Sequence, residues 1–114
     1  MTALLTVVMS LVFLPSGLAK LAAAPVMRRA AAHVGMSVRL YRVVGALEVA
    51  GVAGLLTGLA WMPLGVAAAA GLALLMVGAA VVHLRHGDPL PRAVPAAVMA
   101  LIALTYAATA MTAG

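Results

Sequence analysis

No cysteine occurs in the 114 residues, which removes disulfides, zinc–thiolate sites, iron–sulfur clusters and thiol relay chemistry carried by the protein itself. Charge is nearly as scarce. Only 8% of the residues are charged and 67% belong to the apolar set, whereas a soluble protein runs near a quarter charged and about half apolar. Seven basic and two acidic side chains with three histidines cannot cover the outside of a soluble domain, so the outside must face lipid. The net charge of +5 would suggest nucleic acid on a polar domain. On a chain this apolar it reads instead as anchoring to anionic headgroups, with no nucleic-acid partner.

What is there is long uncharged sequence. Crossing about 30 Å of hydrocarbon takes about 20 apolar residues. Met1 to Ala19 carries no charged side chain, and the segment from Lys20 to Arg42 then gathers Lys20, Arg28, Arg29, Arg39 and Arg42. Val49 to Val82 is a run of 34 residues without a titratable group. As one helix it would be about 51 Å long, too much for a single pass, so it must fold back. Trp61-Met62-Pro63 is the place, because proline disfavours helix in the residue before it and tryptophan suits the lipid–water boundary. Ala93 to Gly114 is the last uncharged segment. The expectation is an all-α, up-and-down, four-transmembrane-helix bundle, a single membrane domain over residues 1–114. Its helices fall at about 2–21, 41–60, 64–84 and 93–112. Pro25 to Val34 reads as a short interfacial helix or, failing that, an irregular basic loop.

Lys and Arg crowd the first and third connections and are missing from the second, which places loops 1–2 and 3–4 in the cytoplasm and both termini outside. Ala22-Ala23-Ala24 resembles a processing site, but no basic residue precedes the apolar run, which favours an uncleaved first helix. Small residues suggest how the spans would meet. Ala46, Ala50, Gly54 and Gly58 follow at four-residue intervals beside Gly51, Ala67 and Gly71 lead to Gly78, and helix 4 carries Ala96, Ala100, Ala103, Ala107 and Ala110. These ridges would pack the bundle or join copies of it, as a homo-oligomer or a subunit of a membrane complex.

Glu48 is the most informative residue. A lone carboxylate inside a span is costly and is usually functional or paired. Arg42 and Arg39 lie about 120° and 180° away around the same helix, whereas Tyr41 and Gly45 share the face of Glu48. The partner must come from another helix, and Lys20, His83 and Arg85 stand at the ends of helices 1 and 3. We expect a polar cluster of Lys20, Tyr41, Glu48 and His83, either a structural ion pair or a site for a ligand or proton. His86 reads as a solvated loop residue, Asp88 before Pro89 as a turn, the methionines as filler rather than an adaptable lining, and Tyr106 as either a polar contact in the outer half or simple packing. No metal-ligand spacing, nucleophile triad or phosphate loop stands out.

Gly17-Leu18-Ala19-Lys20-Leu21, Arg42-Val43-Val44-Gly45-Ala46-Leu47-Glu48, and Gly71 to Ala79 leading to His83-Leu84-Arg85-His86-Gly87-Asp88 together resemble the DoxX-like family of small bacterial membrane proteins. The resemblance implies a four-helix membrane bundle in the bacterial inner membrane. It marks Lys20, Glu48, His83 and Arg85 by motif position, and it suggests a link to quinone-coupled redox or oxidative-stress systems. Three functions compete. The first is binding of a lipophilic small molecule, quinone-like or isoprenoid. There Glu48 and His83 exchange protons with it, Lys20 or Arg85 steadies negative charge, and Tyr41 and Gly45 complete the site. Such a site would serve a quinone-reducing module or acid–base catalysis, and whether it is enzymatic stays open. The second is a proton-coupled exporter, which the basic residues near Glu48 suit poorly for cationic drugs. The third is a structural anchor that presents the basic loop to a soluble partner.

Overall fold

The computed structural model describes residues 1–113. Five helices follow one another: α1 (Thr2–Leu21), α2 (Pro25–His33), α3 (Val38–Thr57), α4 (Met62–Arg85) and α5 (Leu90–Ala113). Four of them, α1, α3, α4 and α5, are long and apolar enough to span a membrane. Each packs against the next in this order and α5 returns to α1, which closes an up-and-down ring. Leu4, Leu11, Leu74, Leu101 and many other large apolar side chains point outward, as a lipid-facing surface requires. Hydroxyls on the spans are satisfied locally: Thr6, Thr57, Thr105 and Thr112 each donate to the carbonyl one turn back, which lets them sit in hydrocarbon at little cost.

Helix α1 matches its expected range, and the short basic segment is helical, with Pro25 in its first turn. Helix α3 is shifted from the expected 41–60. It begins at Val38 because the Ser37 hydroxyl accepts from the Leu40 amide, a cap that satisfies an orphan donor of the first turn. It ends at Thr57, and Gly58 to Ala60 form the turn before Trp61. The earlier start leaves Glu48 about 15 Å along the helix from Val38, deeper than the sequence reading put it. Helix α5 begins at Leu90 rather than 93, with Pro91 in its first turn, where a missing amide costs nothing.

The interior is built from Met9, Phe13, Val52, Leu55, Leu72 and Tyr106 with the small residues of α5. Ala100, Ala103 and Ala110 are buried as expected. The ridge expected on α4 is not the packing face: Gly71 and Gly78 are exposed and have no neighbour within 4 Å of a Cβ position, and the buried face carries Gly65, Ala69, Leu72, Ala73 and Met76. Ala46 and Ala50 of α3 likewise face outward. Near the Trp61 turn, Gly58 and Gly65 bring the α3 and α4 backbones together, and Gly65 also makes room for the buried Tyr106 ring.

At the opposite end, three helices stop in the same way. After α1, α2 and α4 the residue past the cap turns to positive φ at Ala23, Gly35 and Gly87 (52°, 69° and 74°). In each case the next two amides fold back on the last turn: Ala23 to Lys20 and Ala24 to Ala19, Gly35 to Ala32 and Met36 to Ala31, Gly87 to Leu84 and Asp88 to His83. This is the Schellman arrangement. Two of the three positions hold glycine, and Ala23 alone bears the Cβ penalty of the left-handed region, about 1 kcal/mol. The Arg28 Nε donates to the Ala23 carbonyl at 2.9 Å and holds the turn. Ala23→Gly is therefore expected to raise stability by about 0.5–1 kcal/mol. Reversible unfolding in mixed micelles checks this, and a loss of stability would contradict the strained turn.

Candidate functional site

The site starts from one helix crossing. A Cβ on Gly17 would lie 2.9 Å from the Gly45 carbonyl, and one on Gly45 would lie 2.7 Å from the Gly17 carbonyl and 2.6 Å from Lys20 Cβ. Only glycine on both sides lets α1 and α3 approach this closely. Gly17 also faces Glu48 and Val49, while Gly45 faces Lys20 and Leu21, so the two helices run antiparallel through the crossing. Lys20 and Glu48 are then offset by about 4.5 Å along the axis. Side chains on a helix lean toward its N-terminus. In an antiparallel pair Lys20 therefore leans inward and Glu48 leans toward it.

They meet. Lys20 Nζ donates to Glu48 Oε1 at 2.8 Å and to Ser16 Oγ at 3.1 Å, and it lies 5.4 Å from the centre of the Tyr41 ring, within reach of a cation–π attraction. The Glu48 side chain is 1% exposed and that of Lys20 11%. Glu48 Oε2 has no hydrogen-bond partner. Ser10 Oγ is also buried without a partner, but it lines none of the cavities described below.

Two cavities flank the pair. One, of about 220 Å³, is bounded by all four spans, with Phe13, Ser16, Glu48, Met99, Pro95 and Arg92 in its wall. The other, of about 260 Å³, lies between α3 and α4 under the α2–α3 connection, against Val34, Met36, Val44 and Leu75. Lys20, Tyr41, Met76, Ala79 and His83 line both. The structure thus gathers Lys20, Tyr41, Glu48 and His83 around one space, while His83 makes its hydrogen bond elsewhere than to Glu48. Gly45 and Arg85 are not part of this lining. Gly45 is consumed by the helix crossing, and Arg85 is exposed on the last turn of α4.

The partner of His83 is Asp88. Gly87 turns the chain so that the Asp88 amide bonds the His83 carbonyl at 3.1 Å, and the carboxylate accepts from His83 Nδ1 and from His33 Nε2, each at 2.7 Å. Asp88 is more than the local turn residue expected from the sequence: its side chain is 5% exposed and ties the end of α2 to the end of α4. Its hydrogen bonds to His83 and then His33 hold the carboxyl below the usual carboxylate range, against a smaller opposing effect of burial. Arg92 stands 4.0 Å from the same carboxylate. It also lies 3.2 Å from His33 Nε2. A guanidinium only donates, so with that nitrogen donating to Asp88 the Arg92 contact is close approach and not a hydrogen bond. His86 is exposed, as expected, and its Nδ1 bonds the Val82 carbonyl at 2.9 Å. Sequence reasoning missed Ser16, Asp88 and Arg92. Ser16 lies one helical turn before Lys20 and was legible by that spacing.

Four apolar spans in a ring, with a buried Lys–Glu pair beside a cavity, define a multi-pass integral membrane protein. A match of residues 4–105 to the model of the DoxX-like family then shows that the chain belongs to that family. No curated protein and no solved structure matches it.

The crossing makes a test of opposite signs. In an open helix position Gly→Ala is favourable by about 0.5–1 kcal/mol. Gly78→Ala, where a Cβ meets nothing within 4 Å, is expected to stabilise the fold by that amount. Gly45→Ala, whose Cβ would meet backbone at 2.7 Å, is expected to destabilise it by about 1–3 kcal/mol. Unfolding of the two variants side by side reads the difference; equal effects would contradict the crossing.

Proposed function

We propose that the protein binds a lipophilic small molecule, quinone-like or isoprenoid, in the space around Lys20, Tyr41, Glu48 and His83. The observation that carries the reading is Glu48 Oε2, a buried carboxylate oxygen without a partner, beside a cavity whose remaining wall is mostly apolar. Such an atom asks for a donor from outside the chain, and apolar walls with a few convergent polar groups are what lipophilic ligands use. Glu48 and His83 stand on facing helices as the groups to exchange protons with the ligand. Lys20 supplies positive charge beside it, and Arg92 takes the place that the sequence reading gave to Arg85. In this reading the reaction, if the ligand turns over, is quinone-linked redox or acid–base chemistry in the membrane. The site is offered to the cytoplasmic half of a bacterial inner membrane, with the α2 end inside and both termini outside.

The Lys20–Glu48 pair favours this reading over proton-coupled export of cations, because the acid already has a cationic partner at 2.8 Å. The test uses the space and not the charges. Ala79 lines both cavities, and Ala79→Phe fills the volume they share. Mass spectrometry of lipid-soluble molecules that accompany the gently extracted protein is expected to find a ring-headed or isoprenoid compound with the natural chain. With the variant it is expected at about a tenth or less. Equal retention by both proteins, with the variant folded, would overturn the assignment to this cavity.

A further inference from the structure

We propose that the outer face of the bundle, where α1 ends and α3 begins, is a site for one anionic phospholipid, its phosphodiester held by Arg39 and Arg42 and an acyl chain laid in the groove beneath them. Val38, Arg39, Arg42, Val43 and Ala46 of α3 and Leu21 of α1 line an open groove of about 460 Å³. It shares no lining residue with the two cavities around Lys20. The groove exists because α1 stops at Leu21 and the chain turns away through Ala23 into α2, while the small, exposed Ala46 leaves the surface of α3 low. From Val38 to Ala46 it runs about 12 Å along the helix, from the end of a span into its apolar length, and in a bilayer hydrocarbon fills such a trough.

The charges choose the head group. Residues three apart on a helix stand about 5–6 Å from each other at Cβ, so both guanidinium forks can converge on one phosphate, a group whose geometry they match. The chain offers them no counter-ion. It has two acidic side chains: Glu48 is taken by Lys20, and Asp88 by His33 and His83 with Arg92 beside it. Among the described residues Arg39 and Arg42 therefore stand exposed without a carboxylate partner. Their stems lie along apolar wall and carry the charge to the level of the headgroups. With a net charge of +5 the chain repels the ammonium of a zwitterionic head group and attracts a lipid that is negative overall. A second copy of the chain is a poor occupant, because two-fold pairing through this face would set the same arginines against each other.

The test is native mass spectrometry of the full chain in mild detergent, titrated with phosphatidylglycerol or with phosphatidylcholine of the same acyl chains. One phosphatidylglycerol per chain is expected to be retained about tenfold better than phosphatidylcholine, as attraction of a net negative head group to two arginines implies. Arg39→Gln and Arg42→Gln are each expected to lower that preference about threefold or more, whereas Arg29→Gln, which removes the same charge from α2 outside the groove, changes it by less than about twofold. Ala46→Leu fills the groove, leaves both arginines in place and is expected to lower retention too. All four side chains are exposed, so the variants keep the fold. Equal loss in the three arginine variants would mean diffuse attraction to a basic end and overturns the site. Equal retention of the two lipids by the natural chain also overturns it and leaves the arginines to a soluble acidic partner. Unchanged retention by Ala46→Leu overturns the placement of the acyl chain. Glycerophosphate, a head group without chains, is expected not to displace the lipid; displacement would make this a site for a free phosphate ester and overturn the lipid assignment.

Discussion

A charge held within hydrocarbon has to find its counterpart inside the protein, and that requirement organises one half of this molecule. Glu48 lies at mid-helix on α3, and Lys20, near the end of α1, is long enough to reach it only because Gly17 and Gly45 let the two backbones touch. The glycines set the distance, the antiparallel direction makes the two side chains lean together, and the ion pair then fixes how α1 and α3 are rotated. Removing water from both ions is costly and good geometry is needed to offset it. The bonds of Lys20 to Ser16 and Glu48, with the Tyr41 ring nearby, supply that geometry on the lysine side. The glutamate side is left half satisfied, and the functional reading grows from that asymmetry.

The end of the bundle near α2 is closed by a different device. Three Schellman turns stop α1, α2 and α4 at the same end, and the last of them delivers Asp88 to two imidazoles from separate helices. One of these, His83, belongs to the cavity wall, and the other, His33, ends α2. The carboxylate thus joins the short amphipathic helix to the site. The same contact that fixes the position of α2 also fixes which nitrogen of His83 is free.

Architecture was legible in the sequence because charge is so rare. The uninterrupted run from Val49 to Val82 forces a reversal, and Pro25 marks a helix start. That Glu48 needs a partner from another helix was legible for the same reason, since few other ions exist, but Lys20 stood beside His83 and Arg85 as a candidate, and the choice among them was made by the Gly17–Gly45 crossing. Helix rotation was less legible. Alanine and glycine occur on every face of α4, so spacing selected Gly71 and Gly78, which face outward, over Gly65 and Ala69, which are buried. Gly45 shared a face with Glu48, as expected, but the face is covered by α1. The Ser37 cap is a local signal that outweighs hydropathy at the start of α3. The turn at Asp88 was readable from Gly87, whereas its bond to His33 joins residues 55 positions apart, which no local pattern encodes.

The central claim is that Lys20 and Glu48 are coupled within the membrane, and a double-mutant cycle measures that coupling. Lys20→Met, Glu48→Leu and the double variant are unfolded reversibly in mixed micelles beside the natural chain. The account predicts that each single change costs about 3 kcal/mol or more, because it strands one buried charge, and that the double variant returns to within about 1 kcal/mol of the natural chain. Losses that simply add in the double variant would mean that the two side chains do not sense each other, and the site built on them would not stand.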